Sequence, residues 1–98
     1  MELINIGIAG CLGKMGKELV KKSIEDSRIN FAGGFEHPEH NLINRNLSEI
    51  LKCETNQTVG SDPEEVFLNS DVVIDFTTPD SSFENIKLAQ KTKTSLVI

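Results

Sequence analysis

The chain has 98 residues, enough for one domain around one core. Its composition, 38% apolar and 26% charged, is that of a soluble globular protein, and its net charge of −5 with scattered lysines excludes the basic stripe that nucleic-acid binding needs. No segment approaches the roughly twenty apolar residues of a membrane span, and the run after Met1-Glu2 is too short for a secretion signal, so a cytoplasmic location is expected.

In chain order, Leu3 to Ala9 reads as an apolar strand that breaks into three glycines, Gly10, Gly13 and Gly16. From Gly13 to about Asp26, Met15, Leu19, Val20 and Ile24 fall near one face and Lys14, Lys17, Glu18, Lys21, Lys22 and Glu25 on the other, which is helical periodicity. Arg28 to Phe35 reads as a second strand, ended by Pro38, and Asn41 to Thr55 as a polar loop in which Leu47, Ile50 and Leu51 mark one or two helical turns. A brief third strand is expected around Gln57 to Gly60. Asp62, Pro63 and Glu65 then have the order of an N-cap, a first-turn proline and a partial capping box for a helix over Pro63 to Asn69.

The next stretch, DVVIDFTTPD, carries Val72, Val73, Ile74 and Phe76 as a near-continuous apolar run, the pattern of a parallel strand buried on both faces. Asp75 interrupts it. A carboxylate in such a place is either paired and structural, the preferred reading, or catalytic. Ser81 and Glu84 have capping-box spacing for a helix through Ile86, Leu88, Ala89 and Gln90, and Thr94 to Ile98 is strand-like. Placed beside Asp71 to Phe76, that last strand is an open sheet edge, so the chain is expected as a monomer or a weak edge-strand dimer. Its apolar end reads as the middle of a buried strand, which suggests a truncated domain.

The chemistry concentrates in the glycines. A strand that turns into a helix through small residues aims backbone N–H groups and the positive end of the helix dipole at one point, which suits a phosphate. Gly10 would allow the tight turn, Gly13 the close approach of a pyrophosphate, and Gly16 the close packing of helix on sheet. The spacing G-x-x-G-x-x-G departs from the commoner G-x-G-x-x-G, and an ordinary glycine loop is the competing reading. Glu36, twenty positions after Gly16 at the end of the second strand, stands where an acidic side chain accepts hydrogen bonds from the adenosine ribose of NAD. Thr77-Thr78-Pro79 falls at the carboxyl end of its strand, on the same side as the glycine loop.

Cys11 and Cys53 lack partners at metal-ligand spacing and read as reduced thiols, and no metal site is expected. Cys11 is either a small residue that fits the turn or, near a helix N-terminus, a reactive thiol; the first reading is preferred. His37 and His40 flank Pro38 in a solvated loop, where His37 is near enough to the adenosine end to touch it, and neither is expected to be catalytic.

Together, IAGCLGKMG, the acidic residue ending the second strand and VVIDFTTPDSS resemble the dihydrodipicolinate reductase family of lysine and diaminopimelate biosynthesis. The resemblance implies an α/β, Rossmann-like domain over residues 1–98, with a mostly parallel open sheet of about five strands. It further implies binding of NADH or NADPH, with Gly10, Leu12, Gly13, Lys14 and Met15 around the pyrophosphate, Glu36 on the adenine ribose, and Phe76, Thr77 and Thr78 lining the cleft. Family members reduce a cyclic dihydropyridine dicarboxylate by hydride transfer, and a second domain supplies their catalytic motif and tetramer interface. No residue of that domain is in this sequence, so no catalytic residue is assigned and the chain alone is expected to bind cofactor without turnover. His37 and Thr78 stand where some members carry a basic residue, which with Glu36 predicts NADH over NADPH. The alternatives are a stand-alone dinucleotide-binding module, a relic of a broken gene, or a beta-hydroxyacid dehydrogenase, whose turn is similar but which the IDFTTP segment fits less well.

Overall fold

The structure, a computed structural model, describes residues 2–98. Strands and helices alternate along the chain: β1 (Ile4–Ala9), α1 (Lys14–Glu25), β2 (Ile29–Phe35), α2 (Leu47–Leu51), β3 (Val59–Gly60), α3 (Pro63–Asn69), β4 (Val72–Asp75), α4 (Pro79–Thr92) and β5 (Ser95–Val97). The five strands form one sheet in the order β3-β2-β1-β4-β5, and every ladder is parallel. The chain therefore winds outward from β1 to β3, crosses back, and winds outward again through β4 to β5. This is a Rossmann-like fold, and its direction reverses between β1 and β4, where ligands of open α/β sheets bind.

Successive residues of a strand point to opposite faces, so the alternation within β1 divides the interior in two. Ile8 joins Val20 of α1, Phe31, and Leu47 and Leu51 of α2 on one side. Ala9 joins Val66 and Phe67 of α3, Val73, and Ala89 of α4 on the other. Each layer is thus one helix pair on one sheet face, which is what parallel strands require.

Local chemistry moves several expected features. Of the expected apolar stripe of α1, Val20 is buried and Leu19 and Ile24 pack against the core, but Met15 is 56% exposed, because the inward face of the first turn is Gly16. The third strand keeps only Val59–Gly60: the backbone at Gln57 accepts from the Leu47 N–H, and Thr58 bridges Asn46 in antiparallel sense. Asp62 occupies the N-cap position of α3 but makes no side-chain cap bond, so no capping box forms there. Phe76 lies beyond β4 and is 42% exposed, so the strand's apolar run ends at Ile74. Helix α4 starts two residues before Ser81: Thr78 is its N-cap and Pro79 its first residue, which needs no N–H acceptor. Ser81 donates its N–H to the Thr78 hydroxyl, so the Ser81–Glu84 box is not used.

Candidate functional site

At the carboxyl ends of the inner strands lies a crevice of about 640 Å³. Gly10, Gly13, Glu36, His37, Phe76, Thr77 and Thr78 all line it, while Leu12, Lys14 and Met15 stand outside the lining. It is walled by two turns, one after β1 and one after β4.

The first turn begins at Gly10, whose φ of +75° is open to glycine at little cost. Its amides are largely committed. Gly10 and Cys11 donate to the Phe35 carbonyl at 3.0 and 3.4 Å, and Gly13 donates to the Gly10 carbonyl at 3.1 Å. Leu12 donates to Glu36 Oε2 at 2.8 Å. Uncommitted donors therefore begin with Lys14, Met15 and Gly16, whose N–H groups, in the first turn of α1, have no acceptor within the helix. No side chain caps that end, since the N-cap residue is Gly13. Gly16 departs from its general role: a Cβ there would run into the Gly10 carbonyl oxygen and come within 3.0 Å of Cys11 Cα, so this glycine seats the helix on the loop and not on the sheet.

Glu36 faces the crevice directly after β2, its own N–H donating to the Gly60 carbonyl at 3.0 Å. One carboxylate oxygen holds Leu12; the other has no protein donor among the described residues. Cys11 is buried, with its side chain against Gly34. Burial, reinforced by the nearby Glu36 charge, pushes its thiol up to about 12. A thiol held protonated is not a nucleophile, which leaves packing as its role. His37 and His40 use ring nitrogens locally, each Nδ1 accepting an N–H two residues on, from Glu39 and Leu42, at 3.1 Å.

The second turn is built from side chains. Asp75 accepts from the Thr77 N–H at 2.7 Å, from the Thr77 hydroxyl at 2.5 Å and from the Asn85 amide at 3.0 Å. Burial alone raises its pKa, but the bonds from Thr77 and Asn85 outweigh burial and hold the carboxyl below its ordinary value. Thr78 spends its hydroxyl on capping α4. Glu84, Ser81, Asn85, Pro63, Phe35 and Pro38 also line the crevice, so it presents two carboxylates and no Lys or Arg. Of these unanticipated residues Asn85 had a signal in the sequence: with Ser82 and Ala89 it makes an i, i+3, i+7 face that is polar where a helix normally turns apolar inward.

Residues 4–98 match the family described as dihydrodipicolinate reductase, N-terminus. The chain belongs to the dihydrodipicolinate reductase family. Among curated relatives, 4-hydroxy-tetrahydrodipicolinate reductase of Ehrlichia chaffeensis is 35% identical over 97 residues, covering 99% of this chain and 36% of that protein. The enzyme of the same name from Wolbachia pipientis of Culex pipiens is 36% identical over 96 residues, with 96% and 37% covered. The chain thus spans a little over a third of the length of these reductases. Among solved structures, dipicolinate-bound dihydrodipicolinate reductase from Paenisporosarcina sp. TG-14 superposes with a TM-score of 0.71 at 26% identity, over 96% of this chain and 36% of that one. Aspartate semialdehyde dehydrogenase with NADP from Candida albicans has a TM-score of 0.72 at 13% identity, over 97% of this chain and 29% of that one, a likeness of fold alone.

Proposed function

We propose that this chain is the NAD(P)H-binding part of a dihydrodipicolinate reductase, and that it takes NADH in preference to NADPH. One observation carries the reading: Gly13, the N-cap of α1 just ahead of its open amides, and Glu36, a carboxylate with one oxygen to spare, line the same crevice. The amides of Lys14 and Met15 would hold the diphosphate, with the dipole of α1 behind them. Glu36 Oε1 would accept from a ribose hydroxyl while Oε2 keeps Leu12 in place, and Phe76, Thr77 and Thr78 would form the opposite wall. When bound, the dinucleotide would supply a hydride for reduction of a cyclic dihydropyridine dicarboxylate. Holding that acceptor at reacting distance needs residues beyond this chain's crevice, so the 98-residue chain alone is proposed to bind without turnover.

The cofactor preference rests on charge. A 2′-phosphate beside Glu36 would meet a like charge, with no Lys or Arg in the lining to offset it. At about 4 Å that repulsion is worth about 1 kcal/mol in water and about 4 kcal/mol near a protein surface. Isothermal titration should therefore show NADH bound about tenfold or more tightly than NADPH. Tighter binding of NADPH would overturn the preference, and no binding of either would overturn the function.

A further inference from the structure

Asp75 ends β4, is 3% exposed, and pairs across the ladder with Ala9, the last residue of β1. It therefore lies beneath the point where both turns of the crevice leave the sheet. Three apolar residues precede it, and another apolar side chain would occupy the site without having to compensate a buried charge. Its two oxygens have separate tasks. Oδ1 takes both donors of Thr77, its N–H and its hydroxyl, and so curls the chain immediately after the strand. Oδ2 takes the Asn85 amide and so ties that curl to the buried face of α4.

The curled segment meets the glycine loop. The Phe76 N–H donates to the Ala9 carbonyl at 3.1 Å. A Cβ on Gly10 would lie 3.1 Å from the Phe76 carbonyl oxygen and 3.2 Å from Thr77 Cγ2, so the two turns are in contact at Gly10. Because Thr77 gives both its donors to Asp75, it has no N–H or O–H left to offer a ligand, and its value to the crevice is its position. We propose that Asp75, anchored by Asn85, is a positioning residue for the dinucleotide: it presses the Thr77 turn against Gly10 and thereby sets the separation of the crevice walls. The inference rests on the dinucleotide reading above, and Asp75 itself touches no ligand.

The test is a titration of the 98-residue chain with NADH, at a temperature where circular dichroism shows each variant folded. Asp75→Asn should raise Kd about tenfold, because its new amide opposes the amide of Asn85. Thr77→Val, which keeps the backbone bond and loses the hydroxyl one, should raise it about threefold. The exchange Asp75→Asn with Asn85→Asp restores a donor facing an acceptor and should recover most of the lost affinity. A merely structural role would lower the melting temperature and leave Kd of the folded variants unchanged, with no recovery in the exchange; either result overturns the inference. A ligand-free readout separates it from the functional reading: the Gly10 amide resonance should shift in Thr77→Val and Asp75→Asn, and an unmoved resonance overturns the positioning role. Failure of the unaltered chain to bind NADH would overturn the functional reading, and the inference with it.

Discussion

The two turns that flank the crevice leave neighbouring parallel strands and each starts a helix, yet they are built on opposite plans. After β1 the turn is backbone and glycine, and α1 begins with no side chain over its first amides. After β4 the turn is side-chain hydrogen bonds, and α4 begins under the hydroxyl of Thr78. Both helix ends carry the same partial positive charge. The first leaves the N–H groups of Lys14, Met15 and Gly16 open, whereas Pro79 has no N–H and the Thr78 cap takes that of Ser81, which leaves Asp80 as the one open donor in the first turn of α4, so α1 presents the larger set of free amides.

The comparison breaks most severely at Gly16. A methyl group there meets the backbone of Gly10 and Cys11, neither of which can move aside as a side chain could. Gly16→Ala should destabilise the fold by about 1–3 kcal/mol in urea unfolding, against its better helix propensity, and abolish NADH binding. The next effect tests how tightly the first turn is sealed. The Cys11 thiol sits at about 12 against an ordinary 9.0, so the unfolded chain ionises first as pH rises. Its contribution is whole below about pH 9 and is lost at about 1.4 kcal/mol per pH unit between there and the folded value. Unfolding curves across that range should show this loss, and Cys11→Ala should show a shallower one, left by Lys91, which its bond to Glu64 raises above its ordinary value. The smallest effect is at the capped helix. Thr78→Ala should cost about 1 kcal/mol and leave the α1 end untouched, so NADH affinity should change far less than in Gly16→Ala.

The backbone plan was the more legible of the two in the sequence. Glycines at a strand end, an acidic residue after the next strand and alternating helix and strand patterns are strong local signals, and the sheet with its edge strand β5 follows them. What was hidden depends on which hydrogen bond wins locally. Thr78 and Ser81 both qualify as caps; Pro79 decides by fixing the first helical residue, and Ser81 becomes the donor. The spacing of glycines likewise says nothing of the Leu12–Glu36 bond, which joins residues 24 positions apart and commits one amide of the loop. Asp75 was legible as a carboxylate needing partners, but Asn85 as that partner required the helix to be placed first.

The bond between Leu12 and Glu36 also bears on how a ligand is sensed as a whole. One carboxylate ties the loop before α1 to the end of β2, so ordering either half lowers the entropic cost of ordering the other. If the crevice takes a dinucleotide, adenosine and diphosphate fragments should then bind cooperatively, each more tightly when the other is present.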